Sequence, residues 1–253
     1  MNDVKQSLFN AMMSARFNEL KNSANPPFIY GDGGYGGGWA RGWESFQLFA
    51  ICGTENIKDA TEALVKESLK IKKFGFTQAE LERAKASTMA SYEKNYNERD
   101  KTESRVRVDE LVRHFLTNEP APGIAWEYNL LKSKLGNITL AEVNTLKDEI
   151  SLDKSYFALV TTKAGDNLPT DVQLKSYVDA SMKGEVVAYA EKALPKSLLS
   201  RDPAPGKVIK EEKDAAIGTT TWTLNNGAIV TFKKTDFKND EIQFSGYRFG
   251  GSS

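Results

Sequence analysis

LFNAMMSARFNELKNSANPPFIYGDGGYGGGWARGWESFQLFAIC, residues 8–52, changes its period partway along. Up to about residue 22 it is helical. Val4, Leu8, Ala11, Met12 and Ala15 recur at helical spacing, which predicts an amphipathic helix over 2–22. Asn25-Pro26-Pro27 then stops it, because the residue before a proline is pushed out of the helical region. The segment from 28 to 38 is extended and glycine-rich, and Trp43 to Cys52 reads as a strand. The two predict a hairpin turned near residues 36–38.

Working outward, the same alternation of periods continues. Helices are expected at about 55–74, 77–118, 121–136 and 139–150. Thr77-Gln78-Ala79-Glu80 and Thr139-Leu140-Ala141-Glu142 each match a capping box. The polar residues 97–102 break or bend the helix over 77–118. Tyr156-Phe157-Ala158-Leu159-Val160-Thr161 reads as a buried strand. The fold class is therefore α+β, a mainly antiparallel sheet covered by helices. Near residue 190 the character changes. Residues 193–216 hold Pro195, Pro203, Pro205, Gly206 and the charge run Lys210-Glu211-Glu212-Lys213-Asp214, a linker composition. Beyond it, Trp222, Leu224, Asn225-Asn226-Gly227, Ile229, Val230 and Phe232 predict a hairpin with an Asn-Gly turn. Ile242, Phe244 and Tyr247 suggest one more strand. The expected organisation is a domain at 1–192, a linker at 193–216 and opening strands of a following domain at 217–253, cut from a longer chain.

Composition narrows the function. The 253 residues carry 34 Lys+Arg and 34 Asp+Glu. That balance argues against a nucleic-acid or anionic-membrane partner held by bulk charge. Mean hydropathy is −0.48, and no apolar run approaches the ~20 residues of a membrane span. The first residues lack the basic and apolar regions of a signal peptide. Gly31-Asp32-Gly33-Gly34-Tyr35-Gly36 matches G-x-G-x-x-G literally. A dinucleotide site needs a helix opening at the third glycine, whereas a strand follows here, so a flexible hairpin end is the better reading. His114 is the one histidine and Cys52 the one cysteine. Each reads as structural, since neither has a second imidazole or thiol to work with.

The order of these pieces resembles the pitrilysin/insulinase family of zinc metallopeptidases. LFNAMMSARFNELKNSANPPFIYG is similar to a family segment in which a helix ending in R-hydrophobic-x-E-L leads into an extended stretch; here those residues are Arg16, Phe17, Glu19 and Leu20. GFTQAELERAKASTMASYEKNYNERDKTESRV, from Gly75, is similar to its G-hydrophobic-T/S-x-x-E-L-x-x-A-K helix. ITLAEVNTL, from Ile138, resembles its later short helix, and TTTWTLNNGAIVTFKKTDFKNDEIQFSGYRFGGSS, from Thr219, the opening hairpin of a family repeat. The resemblance covers nearly the whole chain.

The resemblance implies two halves of two similar α+β domains each, closing around a chamber for unfolded peptides. It places 1–190 in the second domain and 217–253 at the start of the third. Family chemistry uses His-x-x-Glu-His plus a downstream Glu to hold zinc and activate water. This chain has no such motif, so zinc is expected in an upstream domain and no cofactor in this one. The family also has an Arg and a Tyr, seven residues apart in its last domain, on the scissile carbonyl. Lys21 and Phe28 align with them, with altered chemistry. The implied function is a non-catalytic segment of a zinc endopeptidase that shapes the peptide chamber. The alternative is a scaffold or binding segment of a family member that has lost catalysis. Extended peptide and other domains of the same chain are the implied partners, and a periplasmic or envelope address is suggested by exported bacterial relatives.

Overall fold

A computed structural model describes residues 2–37, 42–152, 156–191 and 197–250. The chain divides into two compact units. One comprises Met1–Tyr96 with Arg105–Ala190, the other Asn97–Ser104 with Glu191–Ser253.

The first unit is built on α1 (Asn2–Lys21). Its buried face is Leu8, Phe9, Met12, Met13, Arg16 and Phe17. These fall in two i, i+4 rows, 8/12/16 and 9/13/17, as helical side-chain geometry requires. The face is turned by one residue from the sequence expectation, and Ala11 and Ala15 are exposed. Fully burying Leu8, Phe9, Met12, Met13 and Phe17 stabilises the unit by about 1.5–3 kcal/mol each. The Phe9 ring meets Phe76 edge-on at 5.0 Å and Tyr35 at 5.5 Å.

β1 (Tyr30–Gly37) and β2 (Glu44–Ile51) pair antiparallel, with Tyr30 opposite Ile51 and Gly37 opposite Glu44. The hairpin is as expected; most of its connection, residues 38–41, lies outside the described residues. Gly31 is required where it stands, since a Cβ there would lie 2.5 Å from the Phe28 ring. α2 (Ile57–Phe74) ends at Gly75, whose φ of 72° is left-handed and whose N–H returns to the Ile71 carbonyl at 2.7 Å.

α3 (Gln78–Asn97) and α4 (Ser104–Thr117) replace the single helix expected over 77–118. The break falls on the polar run after Asn97. α4 ends at Asn118, left-handed at φ 56°, a conformation asparagine tolerates. α5 (Ile124–Lys134) and α6 (Leu140–Asn144) follow. The Thr139 capping box is formed, but α6 tightens into a 3₁₀ turn at Thr145–Glu149.

One expectation is corrected in this unit, and one element is added. Residues 156–161 form no strand, and Phe157 and Leu159 are 67% and 66% exposed. An extended run needs a neighbouring backbone to become a strand, and the only described strand partner of β1 or β2 in this unit is the other. The sequence reading also missed α7 (Asp171–Lys183), opened by a Thr170–Gln173 capping box and packed on α2.

The second unit holds β3 (Val208–Asp214), β4 (Thr219–Leu224) and β5 (Ile229–Phe232) in that order, all antiparallel. The Asn-Gly hairpin joins β4 and β5 as expected. The charge run read as linker lies in β3, whose residues are all exposed. Alternating Lys and Glu suit an exposed edge strand as well as a linker. Residues 193–196 of the expected linker lie outside the described residues. Ile242, Phe244 and Tyr247 form no strand. Within this unit Asn239 donates to the Asn97 carbonyl at 2.9 Å and to Asp100 at 2.7 Å, while the Asp240 N–H donates to Glu98.

Candidate peptide-binding edge

The hairpin has two edges, and one of them is sealed. On β1 the Tyr35 N–H donates to Asn10 Oδ1 at 2.9 Å, and the Tyr35 carbonyl accepts from Asn10 Nδ2 at 2.7 Å. A side-chain amide from α1 thus stands where a neighbouring strand's backbone would. Two residues earlier, Gly33 N–H donates to Asp32 Oδ1, which also accepts from Ser14 Oγ at 2.6 Å. The Ser14 bond depends on α1 lying along β1.

β2 is different. Among the described residues it pairs with β1 alone. Its sequence, ESFQLFAI, carries no Lys, Arg or Pro to guard an edge. Phe46, Leu48 and Ala50 point to the core, while Gln47, Phe49 and Ile51 are exposed. Phe49 is 54% exposed and Ile51 50% exposed, and Tyr30 stands beside Phe49 at 6.2 Å between ring centroids. The Tyr30 phenol is held above its ordinary pKa chiefly by donating to Asp32. The face is thus apolar, aromatic at its centre and bordered by a carboxylate. Such a face and edge can take an extended peptide, main chain to main chain, with alternate side chains against Phe49 and Ile51.

Behind the hairpin lies a buried ionic core. Arg16, Glu67 and Glu80 are 2%, 4% and 4% exposed. Arg16 Nε and Nη2 donate to the two Glu80 oxygens at 2.6 and 3.0 Å, Nη2 also reaches the Gly75 carbonyl, and Nη1 meets Glu67 at 3.4 Å. Glu80 closes the Thr77 capping box as well, accepting from Thr77 N–H at 2.7 Å. Arg16 and Glu80 both lie in the sequence segments that carried the family resemblance. Their direct pairing was not legible in the sequence.

The remaining sequence candidates fall elsewhere. Phe28 is 2% exposed, its ring 6.3 Å from Phe17, so any peptide contact from it would come from its backbone. Lys21 is half-buried at the C-terminal end of α1, where a cation suits the helix dipole. A cleft of about 410 Å³ opens beside the start of α1, lined by Lys5, Tyr35, Glu44, Glu142 and Glu149. There Thr139 N–H and then Lys5, at 2.9 Å, draw the Glu142 carboxyl down to about 2. Burial pushes the Tyr35 phenol up. Cys52, just beyond β2, is raised mainly by burial, as for a small packed side chain. His114 Nδ1 lies 2.8 Å from the Glu119 carbonyl, which makes it the donor. Among the described residues no group of three or more His, Cys, Asp or Glu is placed to hold a metal. The donor set of one imidazole and one thiol does not fit a two-histidine zinc centre.

The first unit, with helices packed on an antiparallel hairpin, has the fold of an insulinase-type peptidase domain. The relatives agree: the chain is related to zinc proteases of the pitrilysin/insulinase type. It is 29% identical over 188 residues to the zinc protease PQQL-like of Arabidopsis thaliana, covering 73% of this chain and 20% of that protein. The periplasmic protease PqqL of Escherichia coli superposes with a TM-score of 0.59 at 18% identity, over 92% of this chain and 26% of that one. The crystallised first half of PqqL alone covers 75% of this chain, with a TM-score of 0.58 at 16% identity. An insulinase family protease from Yersinia pestis gives 0.59 at 14% identity, over 72% of this chain and 39% of its own. No family model matches the chain. The chain spans about a fifth of the length of the curated relatives it matches. No helix among the described residues is long and apolar enough to cross a membrane.

Proposed function

We propose that this chain is a segment of a zinc metalloendopeptidase that forms part of the wall of a peptide-binding chamber and supplies an edge for extended substrate. The observation that carries this is the hairpin. One edge is sealed by Asn10 while the other is strand-free among the described residues and fronted by exposed Phe49 and Ile51. Lys21, and the backbone at Phe28, are proposed as lesser contacts. The zinc belongs to an upstream domain of the parent, together with the His-x-x-Glu-His that this chain lacks.

The domain reading has support of its own. The whole of PqqL covers 92% of this chain and its first half only 75%. Such a difference is expected if the chain crosses from the first half into the second, with 1–192 in one, 193–216 between and 217–253 in the other. A periplasmic address is proposed on the strength of PqqL's own. The test is binding by the 253-residue chain of a fluorescein-labelled peptide with alternating apolar and polar residues. Fluorescence anisotropy should rise with chain concentration. The rise should vanish in Phe49→Asp/Ile51→Asp and persist in Phe232→Asp. An equal response from both variants, or none from the unaltered chain, overturns the proposal. The zinc reading is tested apart, by chelator-sensitive peptide cleavage in the full-length parent.

A further inference from the structure

After α7 the chain returns to α1 without regular structure. Residues 185–190 are neither helix nor strand, and Val187 is 78% exposed. Tyr189 of this strap turns inward. The Tyr189 ring lies 4.5 Å from the Arg16 guanidinium carbon, and Phe76 provides a second ring at 4.8 Å. The Tyr189 hydroxyl donates to Glu19 Oε1 at 2.6 Å. Ala190 is the last residue of the first unit. Tyr189 therefore ties the departing chain to the buried charge at the centre of that unit, one residue before the chain leaves.

We propose that Tyr189 is a clasp. Closed, it holds residues 185–190 on α1 and keeps the connection to the second unit short. Open, it frees those residues and adds up to about 20 Å of reach, at the extension of a full chain. The two contacts differ in kind, which gives the clasp two grades. The ring lies over a desolvated guanidinium, an attraction that is strongest where water is excluded. The hydroxyl makes a charge-assisted bond at the half-buried rim. Arg16 keeps its bonds to Glu80 and Gly75 when the clasp opens, so opening leaves the core intact.

The experiment places spin labels at Ala15→Cys on α1 and Val187→Cys on the strap, in a Cys52→Ser background of the full 253-residue chain. Both label sites are exposed. A single narrow distance is expected. Tyr189→Ala should lose it for a broad distribution, with helix content unchanged. Tyr189→Phe and Glu19→Ala, which remove only the hydroxyl bond, should each show a mixture of the two. A distribution already broad in the unaltered chain, or one still narrow in Tyr189→Ala, overturns the clasp.

Discussion

The two units secure their strands in opposite ways. In the first, a two-stranded hairpin rests on α1, and its core includes eleven side chains under 2% exposed among the described residues, from Leu8 to Ser181. In the second, every residue of β3 is exposed and every residue of β4 half-buried, with a Trp222–Phe232 ring contact at 4.6 Å between β4 and β5. A hairpin without a covering layer is marginal in water. The difference teaches where stability resides: the helices make the first unit, and the strands of the second contribute pairing but little burial.

The strongest test of that contrast is Arg16→Met. It removes the cation from a site where Glu80 and Glu67 remain buried. Stranding buried carboxylates costs about 3–5 kcal/mol, far more than the pair contributes net. Urea unfolding followed by helix circular dichroism, a signal that comes from α1–α7, should lose most of the first unit's stability. Adding Glu80→Leu and Glu67→Leu should restore much of it, since an apolar replacement leaves no buried carboxylate unpaired. Failure of that rescue would place the stability in the geometry of the capping box and not in the charges.

A second test acts on the backbone. Gly75 has φ 72°, and a Cβ there would lie 2.8 Å from the Asn144 side chain. Asn144 Oδ1 accepts from Phe76 N–H and its Nδ2 donates to the Phe76 carbonyl, so it has little room to move. Gly75→Ala should destabilise the first unit by about 1–3 kcal/mol, from left-handed strain alone. The same change at Gly227 in the second unit, φ 81° with open space around it, should cost only its strain, at the lower end of that range. Equal costs would break the contrast.

These positions also mark how far the sequence could be read. α1, the β1–β2 pairing and the β4–β5 hairpin were legible because their signals are local: period, proline and Asn-Gly. The capping boxes at Thr77 and Thr139 were legible for the same reason. The Arg16–Glu80 pair was not, since its members stand 64 positions apart and nothing local announces it. α7 went unseen although Thr170-Asp171-Val172-Gln173 carries a capping pattern, because its apolar positions are few. Residues 156–161 misled in the other direction. Their composition is that of a strand, but a strand is a property of two backbones, and β-propensity reports only one. For the candidate site, the exposed aromatic face was readable in principle from Phe49 and Ile51. The sealing of β1 by Asn10 needed coordinates.

A smaller effect is set by pH. The Glu142 carboxyl, ordinarily near 4.5, is held down to about 2 by Thr139 N–H and Lys5. A carboxylate whose folded pKa lies below its unfolded value adds stability above the unfolded pKa and loses it as pH falls through the folded one. The contribution should therefore be complete above about 4.5 and fade between 4.5 and about 2. The side chain is at the surface, so solvent screens it and the change is slight. Thermal melts across that window should show a slope that Glu142→Gln abolishes and Lys5→Met weakens. A slope unchanged in Glu142→Gln would assign it to other carboxylates.

The smallest effect should lie in β5, and it is the most direct check on the second unit. Ile229 is 69% exposed and sits opposite Thr223. Ile229→Thr keeps the β-branched side chain that suits a strand and removes apolar surface that already faces water. If the second unit draws its stability from pairing, the change should stay within about 0.5 kcal/mol in either direction. Trp222 fluorescence reports it, in a chain whose other tryptophans are replaced by phenylalanine. The indole bonds Glu211 across the ladder at 2.8 Å, so its emission follows the integrity of β3–β4. A loss well above 1 kcal/mol would mean that Ile229 is buried in solution against a layer contributed from elsewhere. The two units would then differ in what covers them, not in how they are held.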